Sequence, residues 1–188
     1  LEEMIGLENL KSEVKEFIAI SKMNKIRKEK GFATSGFNLH SLFLGNPGTG
    51  KTTVARLMGQ LLHENGIIAS SKYVETSRSN LVGQYIGHTA QKTKEILESA
   101  LGGVLFIDEA YTLAVGGEND FGIEAINEIL KFMEDHRRDM VVIFAGYHKE
   151  MAEFLETNSG LKSRIPTTFD FEDYSPDEIA QIGEFILQ

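Results

Sequence analysis

A glycine-rich segment of eight residues is the feature of this sequence that most restricts its fold. The segment, GNPGTGKT at Gly45–Thr52, follows the apolar run Leu42–Leu44 and precedes apolar residues spaced as on a helix. A strand, a glycine loop and a helix in this order are typical of a phosphate-binding loop, because glycines at positive φ let successive N–H groups turn towards one anion. We expect all three glycines of the segment to adopt such angles. Lys51 would then reach the terminal phosphates of a nucleotide, and the Thr52 hydroxyl would hold Mg²⁺.

A second motif places two carboxylates at the end of a short apolar run. Val104–Ile107 is too short and too continuous for an amphipathic helix, and Asp108 and Glu109 follow it directly. We interpret the run as a buried strand of a parallel sheet, which would bring Gly45 and Asp108 to the same edge. Asp108 would order Mg²⁺, and Glu109 would position and deprotonate the attacking water. An isolated acid pair is more often a solvated turn, but a complete phosphate loop nearby favours catalysis.

Composition excludes several classes of function. The 188 residues are 41% apolar and contain no cysteine, which excludes disulfides, thiolate nucleophiles and cysteine-ligated metals. No stretch approaches the length of a membrane span, and no secretory leader precedes the first helix, so we expect a cytoplasmic protein without membrane contact. The net charge of −9 makes a nucleic-acid partner unlikely.

One basic run departs from this acidic background. Lys22, Lys25, Arg27, Lys28 and Lys30 lie within nine residues of a predicted helix. A nucleic-acid contact and a solvated helix face both fit such a run. We favour the solvated face because no aromatic side chains are interleaved for base stacking.

The order of predicted elements indicates an α/β fold. Apolar periodicity predicts helices at 8–30, 51–64, 89–101 and 121–135, and strands at 42–44, 72–76, 104–107, 140–145 and 167–171. Alternating helices and apolar strands predict a five-stranded parallel sheet covered by helices on both faces. Together with the phosphate-binding loop, this order resembles the three-layer αβα sandwich of P-loop NTPases.

The carboxyl end predicts one more helix. Ser175, Pro176 and Glu178 form a strong helix start, and the apolar stripe that follows is interrupted by the end of the sequence. We therefore predict a nucleotide-binding core at 1–174 and the beginning of a helical lid or linker helix at 175–188.

With these motifs placed, the sequence resembles the AAA+ ATPases, and within them the CbxX/CfxQ group to which stage V sporulation protein K and the red-type rubisco activases belong. The segments that carry the resemblance are 45–56, 81–90, 102–111, 116–122 and 163–164. The resemblance implies a homohexameric ring that hydrolyses ATP to ADP with Mg²⁺ between subunits and pulls an unidentified protein substrate through its pore. It also implies that Thr52 and Asp108 bind the metal, and that the nucleotide contacts Ile5, Gly6, Asn46, Pro47, Gly48, Thr49, Gly50, Lys51, Thr52 and Thr53. A simple turn into the first helix explains Ile5 and Gly6 nearly as well.

The same resemblance assigns the pore loop to Tyr85, Ile86 and Gly87. An aromatic side chain on a glycine-hinged loop can grip many peptide side chains by contact area alone. The alternative is that Tyr85 is a buried loop aromatic. The segment 116–120 would form a second, weaker pore loop.

The catalytic set implied by the resemblance is Glu109, Lys51 and Arg164. Arg164, expected in a loop before the last strand, matches the arginine finger that one subunit offers to the γ-phosphate of its neighbour. Arg137 and Arg138 are alternatives, although cations at a helix C-terminus also have an ordinary dipole explanation.

Two departures from the family pattern stand out. The position after the fourth strand, where a polar sensor residue is usual, is not asparagine, and His148 is the nearest polar candidate. Most of the helical lid is also missing from the sequence. A nucleotide-gated scaffold with little hydrolysis and a DNA-directed loader are the alternative functions. Glu109 and Arg164 argue against the scaffold, while the net charge and Tyr85 argue against the loader.

Overall fold

Five short parallel strands form the centre of the molecule in the computed structural model, which describes residues 4–34, 38–85, 87–116 and 120–186. The strands are β1 (Ser41–Gly45), β2 (Tyr73–Thr76), β3 (Val104–Ile107), β4 (Val141–Gly146) and β5 (Thr167–Phe171). Their order in the sheet is β2-β3-β4-β1-β5. Ser41 pairs with both Ile143 and Thr167, so β1 is flanked by β4 and β5. The predicted five-stranded parallel sheet is confirmed.

Helices cover both faces of this sheet. They are α1 (Glu8–Glu29), α2 (Lys51–Glu64), α3 (Arg78–Leu81), α4 (His88–Ser99), α5 (Phe121–Asp135), α6 (His148–Glu156), α7 (Ser159–Arg164) and α8 (Pro176–Ile186), with a 3₁₀ helix at Ala110–Ala114. Each parallel crossover needs a connection that returns over one face, and the helices supply it.

Alternate strand residues enter two separate apolar cores. On β3, Val104 and Phe106 pack with α1 and α2, whereas Leu105 and Ile107 pack with α4 and α5. Successive side chains of a strand point to opposite faces, so a strand with both faces covered is apolar at every position. This explains why β3 has no polar alternation and why all four of its residues are buried.

The structure contains four short elements that the sequence pattern did not predict: α3, the 3₁₀ helix, α6 and α7. The prediction that Arg164 lies in a loop is wrong, since it is the last residue of α7. Asn158 caps this helix, because its side chain accepts a hydrogen bond from the Gly160 N–H at 2.8 Å.

The helix start at the carboxyl end is confirmed as a reciprocal cap. The Ser175 N–H donates to the Glu178 carboxylate at 2.7 Å, and the Glu178 N–H donates to the Ser175 hydroxyl at 3.3 Å. The division into a core at 1–174 and a lid or linker helix from 175 stays a prediction. Within the described ranges, none of the helices has the length and apolar character needed to span a bilayer.

Candidate functional site

The glycine loop between β1 and α2 has the backbone of an anion cradle. Gly48 and Gly50 adopt φ angles of +75° and +91°, conformations that side chains disfavour. The expectation for Gly45 is wrong, since it is not among the described glycines with positive φ. A Cβ on Gly45 would lie 2.7 Å from the Phe171 carbonyl oxygen, so this position needs glycine for close approach to β5.

Lys51 begins α2 and folds back over the loop. Its ammonium group donates to the carbonyl oxygens of Gly45 at 2.8 Å and Asn46 at 2.7 Å. Burial lowers the pKa of Lys51, and the negative charge of Asp108 acts in the opposite direction. The two side chains therefore interact electrostatically, although they are 57 positions apart in the chain.

The two acids follow β3 at the same end of the sheet as the glycine loop. The Asp108 N–H extends the sheet ladder to the Thr76 carbonyl oxygen at 2.9 Å. Glu109 has φ 46° and ψ 48°, a left-handed conformation that is unusual for a residue with a side chain. Thr112 holds this turn, since its N–H and its hydroxyl both donate to the Glu109 carbonyl oxygen, at 2.9 and 2.7 Å.

The loop and the acids meet around one cavity of about 420 Å³. The residues that line it are Pro47, Gly48, Gly50, Lys51, Thr52, Thr53, Asp108, Glu109, Gly146 and Tyr147. They come from the carboxyl ends of β1, β3 and β4, where parallel sheets bind ligands. The expected meeting of Lys51 and Asp108 at one edge of the sheet is confirmed.

The cavity fits a magnesium–nucleotide complex. Two glycines at positive φ let backbone N–H groups face the cavity, and Thr52 and Asp108 add a hydroxyl and a carboxylate. Among the described residues no group of three or more His, Asp or Glu side chains could hold a metal by itself. Mg²⁺ commonly takes one or two protein ligands and completes its shell with phosphate and water, so this sparse set is suitable.

Comparison with known protein families agrees with this geometry. Residues 41–172 match the family model described as "ATPase family associated with various cellular activities (AAA)". The chain belongs to the AAA ATPase family.

Similar proteins extend the match beyond this AAA core. The chain is 48% identical over 184 residues to stage V sporulation protein K of Bacillus subtilis, covering 98% of this chain and 57% of that protein. It is 50% identical to the plasmid protein CbxX of Cupriavidus necator (98% and 59%) and 47% identical to the chloroplastic ribulose bisphosphate carboxylase/oxygenase activase of Cyanidioschyzon merolae (99% and 64%). The resemblance to the CbxX/CfxQ group is thereby confirmed. The chain spans less than two thirds of the length of these three relatives.

A solved structure supports the AAA fold independently. The AAA domain of FIGL-1, crystallised in complex with ADP, superposes with a TM-score of 0.69 over 98% of this chain and 59% of that one. The two sequences are only 19% identical, so the likeness concerns the fold alone.

Four residues predicted to contact the nucleotide do not line the cavity of the AAA core. Asn46 donates to both carboxylate oxygens of Asp173, at 3.0 and 3.1 Å, and the Thr49 hydroxyl donates to the Asn46 carbonyl oxygen at 2.7 Å. Both residues shape the loop. Ile5 and Gly6 belong to a segment beside it, since a Cβ on Gly50 would lie 3.5 Å from Met4 Cε.

The sensor candidate His148 is not among the residues that line the cavity. Its Nε2 lies 2.6 Å from an oxygen of Asp170, and both side chains are exposed. Tyr147, for which the sequence predicted no role, lines the cavity instead, and its ring centroid lies 5.8 Å from that of Tyr111. Its position directly after β4 was the available signal, because that strand ends at the ligand edge.

Tyr85 is 66% exposed, which excludes the alternative that it is a buried loop aromatic. The Tyr85 and His88 rings pack edge to face, with ring centroids 5.5 Å apart. Gly87 has a φ angle of +83°. Ile86 and the centre of the second predicted pore loop, 117–119, lie outside the described residues. The loop at Tyr85 follows the edge strand β2.

Arg164 lies at the opposite end of the sheet from the phosphate loop, because it directly precedes β5 while the loop follows β1. Its Nε is 3.5 Å from an oxygen of Glu134, and its carbonyl oxygen accepts from the Asn38 amide at 3.1 Å. The side chain therefore cannot reach a nucleotide held by the phosphate loop of the same chain. Arg137 donates to Glu134 as well.

A partly buried ion pair links the turn at Glu109 to Asp120, the last residue of the second predicted pore loop. Arg78 in α3 binds Asp120 through two hydrogen bonds of 2.7 and 2.6 Å and also donates to the Thr112 carbonyl oxygen at 2.7 Å. The hydrogen bond from Arg78 holds the pKa of Asp120 below its usual value. Thr112 in turn fixes the Glu109 turn, so the bonds run without interruption from Asp120 to Glu109.

Proposed function

We propose that this chain is the nucleotide-hydrolysing core of a ring-forming, cytoplasmic protein remodeller driven by ATP. The observation that carries the proposal is the single cavity shared by Lys51, Asp108 and Glu109. A protein that only changes shape on binding ATP needs the glycine loop, but it does not need an exposed carboxylate beside the phosphates.

The cavity supplies the parts of phosphoryl transfer. Backbone N–H groups of the loop and the Lys51 ammonium would hold the β and γ phosphates, after Lys51 releases the carbonyl oxygens of Gly45 and Asn46. Mg²⁺ held by Thr52 and Asp108 would neutralise charge on these phosphates. The positions of the protein groups are largely fixed by the loop and β3, which favours the reaction through positioning and electrostatics.

Glu109 is the general base of the proposed reaction. Its carboxylate would take a proton from a water molecule as the water oxygen attacks the γ-phosphorus. The bond from that phosphorus to the β–γ bridging oxygen breaks, which releases ADP and phosphate. The backbone of Glu109 is strained and is held by Thr112, and Glu109 lines the cavity.

Arg164 would complete the site of a neighbouring subunit. Its location at the amino ends of the strands supports action in trans, because a head-to-tail ring brings that end of one subunit to the nucleotide edge of the next. Tyr85, exposed on a loop beyond the other edge strand, would contact the protein substrate in the pore. Homohexameric assembly and a protein substrate are part of the same proposal.

Replacing Glu109 with Gln in the full-length protein tests the catalytic assignment. The amide keeps the shape of the side chain but cannot accept a proton, so we expect ATP turnover to fall roughly 10²- to 10⁴-fold while ATP remains bound. Glu153→Gln, on the exposed side of α6, is the matched control and should leave turnover unchanged. Undiminished turnover in Glu109→Gln would remove this residue from its role.

Mixing two inactive variants tests the trans arrangement. In a one-to-one mixture of Glu109→Gln and Arg164→Ala chains, about a quarter of head-to-tail interfaces join an intact Glu109 to an intact Arg164. Turnover should therefore reappear on mixing and rise with protein concentration. Mixed rings as inactive as either variant would contradict an arginine supplied by the neighbour.

A further inference from the structure

The turn at Glu109 is supported from outside its own segment. Glu109 has a left-handed backbone, and two hydrogen bonds from Thr112 to its carbonyl oxygen hold this conformation. The carbonyl oxygen of Thr112 in turn accepts a hydrogen bond of 2.7 Å from Nη1 of Arg78, which lies 34 positions earlier in the chain. Arg78 therefore restrains the residue that holds the Glu109 turn.

The guanidinium group of Arg78 is kept in one orientation by Asp120. Its Nη1 and Nη2 donate to the two carboxylate oxygens at 2.7 and 2.6 Å, so both prongs of the planar group are engaged. The pKa of Asp120 lies below its usual value because of the hydrogen bond from Arg78 and, to a smaller extent, those from the backbone N–H groups of Gly122 and Gly116. With its charge balanced and its plane fixed, Arg78 is a well-oriented donor to Thr112.

A glycine in α5 makes room for this junction. A Cβ on Gly122 would collide with the Leu113 carbonyl oxygen and would lie 2.8 Å from both Arg78 Nη1 and an oxygen of Asp120. Glycine at this position lets the start of α5 approach the 3₁₀ helix closely enough for one guanidinium group to bridge them. The ion pair is thus built into the packing of two elements, unlike a pair on an open surface.

Helix α3, which supplies Arg78, is fixed to α4 although it has only four residues. Lys92 donates to two carbonyl oxygens of the α3 segment, at 2.8 and 3.1 Å, and the buried hydroxyl of Thr93 donates to the Leu81 carbonyl oxygen at 2.8 Å. So short a helix is marginal by itself, and these bonds from α4 stabilise it. Arg78 therefore reaches Thr112 from a support that is separate from the turn it restrains.

We propose that Arg78 is a positioning residue for hydrolysis, which keeps the Glu109 carboxylate aligned with the attacking water through Thr112. This inference rests on the proposed function, in which Glu109 takes a proton from that water. Arg78 is not among the residues that line the nucleotide cavity, so its role is not to bind ATP. Displacing a reacting group by about 1 Å can lower a rate roughly 100-fold, so a weaker restraint should reduce kcat and leave KM for ATP unchanged.

Two substitutions of Arg78 in the full-length protein test this role. Glutamine removes the charge, and lysine keeps the charge opposite Asp120 but lacks the planar fork that bridges Asp120 and Thr112. We expect kcat for ATP hydrolysis to fall about 10- to 100-fold in Arg78→Gln and by a smaller factor in Arg78→Lys. KM for ATP should stay within about twofold of the parent value in both variants.

Val14→Ala is the control that separates positioning from a general loss of stability. Val14 is fully buried in the core on the face of the sheet opposite the 3₁₀ helix, so its truncation destabilises the fold without touching Arg78 or Glu109. At a temperature where thermal unfolding shows all chains to be folded, Val14→Ala should keep the parent kcat. An equal loss of kcat in Val14→Ala and Arg78→Gln would overturn the inference, because turnover would then follow stability alone.

Amide hydrogen exchange gives a second measurement that needs no ATP hydrolysis. The Thr112 N–H donates to the Glu109 carbonyl oxygen, so its exchange rate reports on the turn directly. We expect this amide to exchange about tenfold faster or more in Arg78→Gln, while the Leu105 amide in the centre of β3 exchanges as in the parent. Val14→Ala should not accelerate Thr112 relative to Leu105.

The outcomes separate this inference from the proposed function. If the parent does not hydrolyse ATP, or if Glu109→Gln hydrolyses it at the parent rate, the proposed function fails, and Thr112 exchange alone decides whether Arg78 restrains the turn. If the parent is active and Glu109→Gln is not, a parental kcat in Arg78→Gln overturns the positioning role. A raised KM with unchanged kcat also overturns it, since Arg78 would then act in ATP binding. Unchanged Thr112 exchange overturns it in every case.

Discussion

The two ends of the central sheet are built in different ways. At the carboxyl ends of the strands, the nucleotide cavity is formed mostly by contiguous segments, Pro47–Thr53 and Asp108–Glu109. At the amino ends, a basic cavity of about 600 Å³ is assembled from short pieces of five separate segments, which contribute Lys28, His40, Ile67, Arg138 and Arg164 among others. The first kind of site can be recognised from a sequence motif, whereas the second exists only after the chain has folded. This difference explains why one was predicted and the other was not.

The largest expected effect comes from the residue that would join the two ends across a subunit interface. Arg164→Ala in the full-length protein should lower ATP turnover roughly 10³-fold or more, because the γ-phosphate of the neighbour loses its positive partner. ATP affinity of the isolated chain should not change, since Arg164 is remote from its own phosphate loop. Lys162→Ala, an exposed residue of α7, is the control. A parallel loss of ATP binding would contradict the separation of the two ends.

The next effect tests whether water is excluded from the His40 ring at the amino ends of the strands. Burial in the folded chain lowers the pKa of His40 from 6.5 to about 4, so the unfolded chain binds more protons between these values. Stability is therefore complete above pH 6.5 and falls as the pH decreases towards 4, by about 3 kcal/mol. Urea unfolding across this range should show the loss in the parent chain and a shallower slope in His40→Gln.

Other groups that titrate in this range contribute equally to both chains and cancel in the difference. His63→Gln, which removes an exposed histidine, should keep the parent slope. An identical slope in His40→Gln would mean that water or protein groups solvate the His40 ring.

A smaller effect tests whether the Arg78–Asp120 ion pair supports the turn that carries Glu109. Arg78→Gln or Asp120→Asn should each cost about 2 kcal/mol of stability, because the pair is partly shielded, with side chains 32% and 14% exposed. A double-mutant cycle should give a coupling energy well above zero. Arg78→Gln should also lower turnover, through the loosened Thr112 turn below Glu109. If the two stability losses are additive and ATP turnover is unchanged, the site at Glu109 does not depend on the Arg78–Asp120 pair.

The smallest effect concerns α7, the short helix that ends at Arg164. Asn158→Ala removes the side-chain cap of α7 and should cost about 1 kcal/mol in the free energy of unfolding. Ser159→Ala, at the adjacent exposed position, should cost less. Equal costs would show that the capping bond contributes nothing to stability.

Elements with a clear apolar pattern along the sequence were predicted, whereas elements too short to show such a pattern were not. The sequence predicted β1, β3, α2 and α5, because their apolar side chains pack into the two cores on either face of the sheet and so recur at regular spacing. Helix α7 was missed although Asn158 is a good capping residue, since six residues are too few to show periodicity.

Side-chain direction was the less predictable property. His148 was the sensor candidate because it is the nearest polar residue after β4, but it contacts Asp170, and Tyr147 lines the cavity instead. Gly45 was assigned a positive φ by analogy with its neighbours, whereas contact with Phe171 explains the glycine there. Both facts depend on β5, whose Asp170 lies 22 positions after His148 and whose Phe171 lies 126 positions after Gly45.

The left-handed backbone at Glu109 has a consequence for how this protein can evolve. Glycine would relax the turn, and asparagine or aspartate would tolerate it better than glutamate does. Selection for thermal robustness alone would therefore drive the position away from the residue that the proposed chemistry requires. A descendant that abandons hydrolysis is expected to lose this glutamate early and to become harder to unfold as it does so.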